Sequence, residues 1–324
     1  MYEYDQPAPT SKLDYRFWTP PPGTTVPVGA EERPVALPNV PLPVHRQALA
    51  EGAPSADAIG NGVYDYLRQF PDCNNNRVYA ELLRDAYPHF LADLGAHVVM
   101  LDHKEVDPPY VKRKINFLKI LALLEPDNAG LQQKIGLAWF HLALSYTEMA
   151  ESRSHLQQTL KHLHRALELQ PRDPATLNVL GQADYLLGDY PAAQRSWRQL
   201  LERMEHSPAQ QALAARVEKL EAAEMPERAL VEELEMVGQA LELCGHEEFG
   251  EGRKLLDELE EQGALPQELP AAEFHFLLGY CREKTGDAAG AFAAYDQALA
   301  IDADYQPAIA GRERILDGRV GHDG

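Results

Sequence analysis

Twelve histidines, three cysteines and fifty carboxylates are the side chains of this 324-residue chain that could hold a metal or move a proton. Their spacing argues against both. His162 and His164 stand two apart on a helical pattern and point about 200° away from each other. His155 and His162 share a face but lie two turns apart, and His89, His97 and His103 have no ligand-like spacing and no cysteine partner. Cys73, Cys244 and Cys281 are too few for a disulfide framework, and no two are at metal-ligand spacing. No metal site and no cofactor are expected. Phosphate loops, dinucleotide fingerprints, zinc-protease motifs and nucleophile elbows are absent. Carboxylate pairs are so common here that none stands out as an acid–base couple. The chain is expected not to be an enzyme.

Charge gives a second set of exclusions. Fifty acidic against 30 basic residues leave a formal −20, which repels phosphate backbones and argues against nucleic acid as a partner. Residues 201–262 carry 17 acidic and 6 basic residues, more than half of that excess. Such a surface steers basic partners or simply keeps the chain in solution. Against this background a basic patch, Lys112, Arg113, Lys114 and Lys119, opens a helical pattern where positive charge opposes the macrodipole. It is either a docking surface for acidic protein or a solvated face. No apolar run reaches the roughly 20 residues needed to span a bilayer, and MYEYDQPAPT does not open like a secretory signal. With cysteines so sparse, a reduced, cytoplasmic setting is expected.

The elements that carry these residues fall into four stretches. Residues 1–54 hold eleven of the 24 prolines, so they should be extended rather than helical. Tyr2, Tyr4, Tyr15, Phe17, Trp18, Val35, Leu37, Val40 and Leu42 make that stretch too apolar for a plain linker. It reads as an arm lying on a protein surface, with a disordered tail as the alternative. Residues 55–127 read as helical, with Ser55 capping a helix that stops at Pro71. A second helix follows Asn74–Asn76, bending at Pro88. Leu94–Leu101 could also be a strand, and a third helix runs from Val111 to Leu124. Residues 128–317 are helix after helix, and 318–324 are a tail.

Within 128–317 the chain repeats itself. Leu180, Gly181, Gly188, Asp189, Ala193 and Trp197 correspond to Leu278, Gly279, Gly286, Asp287, Ala291 and Tyr295, each pair 98 residues apart. Ala166 precedes Leu200 by 34 residues in an equivalent place. Small residues let antiparallel helices approach, the second glycine suits a left-handed helix end, the aspartate caps the next helix, and the aromatic fills the neighbouring space. Gly238, Gly245 and Gly250 look like a degenerate third copy. The irregular spacing predicts an extra helix at Pro208–Ala223 and a longer loop at Gly263–Pro270.

This pattern resembles the tetratricopeptide repeat family, most sharply in LNVLGQADYLLGDYPAAQRSWRQLL and FLLGYCREKTGDAAGAFAAYDQALAID. Asp184 and Arg282 depart from it, standing where an aromatic is usual. The resemblance implies an all-α, right-handed solenoid of helical hairpins and a concave groove for protein partners. It puts Asn178, Gln182 and Tyr185 of one repeat in that groove, with Phe276, Tyr280 and Glu283 of another. The expected role is a non-catalytic adaptor or scaffold binding protein through the groove and the arm, with self-association as a further use. The alternative is an assembly or maturation chaperone for a larger enzyme complex.

Overall fold

The computed structural model describes residues 14–29, 31–49, 52–102 and 107–318. Tyr2, Tyr4, His103 and the tail from residue 319 lie outside them. The chain forms two compact units, residues 1–135 and 136–324, and their boundary falls inside helix α5 (Ala129–Ala143).

In the first unit the proline-rich stretch is extended, as its prolines require, but it is also paired. Strands β1 (Tyr15–Trp18) and β4 (Leu42–His45) run antiparallel, with Tyr15 opposite His45 and Trp18 opposite Leu42. Strands β2 (Thr25–Val28) and β3 (Arg33–Ala36) form a second two-stranded ribbon. Each strand keeps a free edge, where proline's missing N–H costs no ladder bond. The all-α expectation therefore needs these four short strands added to a helical body.

The helices of this unit are α1 (Ala56–Gln69), α2 (Asn76–Ala86), α3 (Pro88–Asp102) and α4 (Pro108–Leu124), and the described part of the stretch lies on α1 and α2. Leu42 and Val44 are fully buried. The Tyr79 hydroxyl donates to the Pro41 carbonyl, Gln69 Nε2 donates to the Tyr15 hydroxyl at 3.0 Å, and His45 Nε2 meets Asp65 Oδ2 at 2.9 Å. Gly62 of α1 makes the close approach possible, since a Cβ there would stand 2.5 Å from the Pro43 carbonyl oxygen.

Ser55 caps α1 as expected, accepting from the Ala58 N–H. At Pro88 the expected bend is a full break. Tyr87 leaves the helical region, at φ −136° and ψ 53°, because a residue before proline is driven out of it. Leu94–Leu101 is helix throughout, within α3.

The second unit is a stack of helical hairpins. After α5 come a 3-10 turn (Tyr146–Glu151) and α6 (Ser152–Leu169). Then follow α7 (Pro174–Leu187) with α8 (Tyr190–Leu201), the extra helix α9 (Pro208–Glu221), and α10 (Leu230–Gly245) with α11 (Phe249–Gln262). The stretch expected as a plain loop at Gly263–Pro270 contains a single-turn helix, α12 (Leu265–Glu268). The unit closes with α13 (Ala272–Lys284), α14 (Ala288–Ile301) and α15 (Gln306–Leu316).

Its hairpins are built on glycine seats for aromatic rings. A Cβ on Gly181 would lie 2.2 Å from the Trp197 indole nitrogen, and one on Gly279 would lie 2.7 Å from the Tyr295 ring. Gly311 of α15 also seats the Tyr295 ring, where a Cβ would lie 2.5 Å from it, so that ring touches all of the last three helices. Gly188 and Gly286 take left-handed φ of 83° and 84°, and Asp189 and Asp287 cap α8 and α14 by accepting from Ala192 and Gly290.

The third copy is a hairpin, but its glycines do other things. Gly238 faces the backbone of the 3-10 turn, where a Cβ would stand 2.2 Å from the Ala150 nitrogen. The left-handed position is taken by Glu247, at φ 64°, and not by Gly245. α10 is thus longer than its counterparts, which shifts the turn beyond the glycine that spacing picks out.

Candidate functional site

The residues assigned to the groove separate into two places. Gln182 and Tyr185 project from α7 into a cavity of about 70 Å³, closed by Phe140, Leu144, Trp197 and Leu269. It adjoins a larger groove of about 560 Å³ between α9 and the start of α12, lined by Tyr185, Ala215, Arg216, Lys219, Ala264 and Glu268. On the other side lies an apolar cleft of about 260 Å³, lined by Leu144, Met149, Leu234, Leu269 and Phe274. Shared residues join the three: Tyr185 and Arg216 connect the first two, and Leu144 and Leu269 connect the small cavity to the cleft. The three therefore lie next to one another in the second unit.

Tyr185 is buried here and not presented to solvent. The Arg216 guanidinium lies 4.3 Å above its ring and 5.5 Å from that of Trp197, and Arg216 Nη2 pairs with Glu268 at 2.5 Å. Burial raises the Tyr185 phenol above its ordinary value, with Arg216 opposing, so the ring stays a neutral, apolar floor. Asn178 is half-buried two turns earlier, and its carbonyl accepts from Trp197 Nε1 at 3.4 Å.

Phe276, Tyr280 and Glu283 line none of these cavities. Phe276 and Tyr280 stack at 6.1 Å within an aromatic cluster that includes Phe249 and Tyr305, and Lys284 Nζ lies 5.6 Å from the Tyr280 ring. Glu283, expected to face the groove, is instead buried: it accepts from the Tyr295 hydroxyl and pairs with Arg314 at 2.9 Å. One residue on from Arg282, its side chain turns into the packing of α15.

In the first unit, side chains of the basic patch make contacts within the unit. Lys114 pairs with Asp102 and Lys119 with Asp72, while Arg113 lies over Tyr110. Lys112 is exposed.

Several contributors were not legible as site residues in the sequence. Glu233 of α10 is 2% exposed and accepts from the Ala264 and Leu265 N–H groups at 3.2 and 2.7 Å. It pins α12 beside the cavities, with Leu265 buried and Leu269 forming a wall. The one signal available was an acidic residue at a position where the helix's apolar stripe should continue. Arg216 and Glu268 were lost among many surface charges.

Among the described residues no group of three or more His, Cys, Asp and Glu side chains could hold a metal ion. No helix among them is long and apolar enough to cross a membrane. The fold defines a helical-repeat protein with neighbouring cavities lined by aromatic, aliphatic and paired charged groups.

No protein-family profile matches the chain. No curated protein matches it either. Solved structures are similar to it, two of them as follows. One is a tetratricopeptide repeat protein from Parabacteroides merdae ATCC 43184, 12% identical, covering 80% of this chain and 92% of that one at a TM-score of 0.33. The other is the TPR domain of P58(IPK), 14% identical, covering 82% of this chain and 65% of that one at a TM-score of 0.34. The repeat character of the second unit stands on its own glycine–aromatic seats.

Proposed function

We propose that this chain is a non-catalytic adaptor that holds an extended segment of a partner protein in the groove over Tyr185. The observation that carries the reading is the set of neighbouring cavities along α7, α9 and α12. An aromatic floor with an adjoining aliphatic cleft supplies contact area at low entropy cost. Arg216, Lys219 and Glu268 supply polar anchoring at its rim. The chain's own 263–271 segment supports this reading, with Leu269 in an apolar wall and the Glu268 carboxylate on Arg216. Three free thiols support a reducing, cytoplasmic setting.

The test is site-specific photocrosslinking in native lysate, with the crosslinker replacing Ala215 or Lys219 beside the groove, or Ala293 on the exposed face of α14 as control. A protein captured from both groove positions but not from Ala293 supports the proposal. Capture of a second copy of this chain would make the groove a self-association surface. Equal capture at all three positions, or none at the groove, contradicts the proposal.

A further inference from the structure

The two cysteines of the second unit lie together although 37 residues separate them. Cys244 sits at the end of α10 and Cys281 near the end of α13, with their sulfurs 3.0 Å apart. Cys281 is fully buried, while Cys244 is partly open beside the exposed turn 245–248. Gly252 of α11 leaves room next to both, since a Cβ there would lie 3.4 Å from one sulfur and 3.6 Å from the other. Both thiols are free. Disulfide sulfurs are bonded at about 2 Å, so closing this pair asks for about 1 Å of movement. α10 and α13 are the first helices of successive hairpins, so a bond here would cross a repeat boundary.

We propose that Cys244 and Cys281 form a reversible dithiol–disulfide site that reacts with low-molecular-weight disulfides of the glutathione type and, once oxidised, staples α10 to α13.

Access sets the order of events. The Cys244 thiolate attacks one sulfur of glutathione disulfide, forming a mixed disulfide and releasing one glutathione thiolate. Cys281 then loses its proton, by way of water, to that thiolate. Its own sulfur attacks the Cys244 sulfur and expels the second glutathione as a thiolate, which takes up from water the proton Cys244 gave up on forming its thiolate. The protein gives up two electrons and two protons, and one glutathione disulfide becomes two glutathione thiols. The electrostatics agree with these roles. The Cys281 thiol hydrogen-bonds to Cys244 and holds its pKa below the ordinary thiol value, against burial. That bond and burial raise Cys281, with Asp257 adding to the rise and Arg253 opposing it. The exposed thiol is the better nucleophile and the buried one resolves the intermediate.

The experiment uses the full chain as wild type, Cys73→Ser, Cys244→Ser and Cys281→Ala, each treated with glutathione disulfide. Peptides are mapped by mass spectrometry without reduction. Wild type and Cys73→Ser should each yield one linked pair, Cys244 with Cys281, reversed by dithiothreitol. Cys281→Ala should stop at glutathionylated Cys244, and Cys244→Ser should not react in this unit. Oxidation should raise the melting temperature of Cys73→Ser by roughly 5–10 °C, as cross-linking a loop of this length removes unfolded-state entropy. Wild-type protein carries the test even if a variant fails to fold. Linkage of either residue to Cys73, or stable glutathionylation of Cys244 in wild type, would overturn the proposal.

Discussion

At the residue scale, three buried carboxylates of the second unit are handled in three ways. Glu283 is desolvated, yet Arg314 and the Tyr295 hydroxyl together outweigh that and keep its pKa below the ordinary value. Glu233 spends its charge on the N–H groups at the start of α12. Asp184 is 4% exposed, and burial pushes it up to about 7, with nearby Asp189 adding to the rise and Arg195 opposing. A carboxyl whose folded value lies above its unfolded one stabilises the fold while protonated. That stabilisation is complete below about pH 4 and fades as pH rises through about 7. The second unit is therefore expected to resist urea better at pH 5 than at pH 8. Asp184→Asn should abolish most of that difference and raise stability at pH 8 by up to about 4 kcal/mol. If the variant keeps the full pH dependence, the general acidic repulsion of the chain is responsible, and not Asp184.

At the scale of elements, four helix ends share one geometry. After α7, α9, α10 and α13 a residue with positive φ turns the chain, and the next N–H reaches back five residues to a carbonyl: Asp189 to Asp184, Glu224 to Lys219, Glu248 to Leu243 and Asp287 to Arg282. Glycine fills the left-handed position after α7 and α13, but Ala223 and Glu247 fill it after α9 and α10. An L-residue there is strained by roughly 1–2 kcal/mol, part of which glycine would give back in unfolded-state entropy. Glu247→Gly should consequently stabilise the unit by about 0.5–1 kcal/mol, read as a higher midpoint in thermal melts. A lower midpoint would mean that the exposed Glu247 side chain makes a contact of its own. The degenerate copy thus retains the turn while its sequence has lost the residue that marks it.

At the scale of the whole molecule, each unit depends on one close backbone approach. In the first, Gly62 carries β4: a Cβ would lie 2.6 Å from the Val44 Cα as well as against Pro43, and backbone atoms cannot swing aside as a side chain can. Gly62→Ala should destabilise that unit by about 1–3 kcal/mol and hasten tryptic cleavage after Arg16 and Arg46, both exposed. Unchanged cleavage would contradict the docking of the strand on α1. In the second, Gly238 serves the 3-10 turn in the same way.

The sequence by itself determined what local sterics determine. Ser55, Asp189 and Asp287 mark helix starts, Gly188 and Gly286 mark helix ends, and the small residues Gly181, Ala193, Gly279 and Ala291 mark where paired helices approach. That Trp197 and Tyr295 sit on Gly181 and Gly279 of their own hairpins, and not only against the neighbouring pair, was decided by the structure. Prolines at 27, 34 and 43 make the first stretch extended. Only the tertiary structure decided that this stretch pairs as strands and docks on α1, that Tyr185 lies beneath Arg216, that Glu283 turns inward, that segment 263–271 lines the cavities, and that Cys244 meets Cys281. These outcomes depend mostly on contacts between residues 20 to more than 50 positions apart. Caps and turns are fixed by torsions within one or two helical turns, whereas side chains brought together by stacking helices leave no periodic trace in the order of residues.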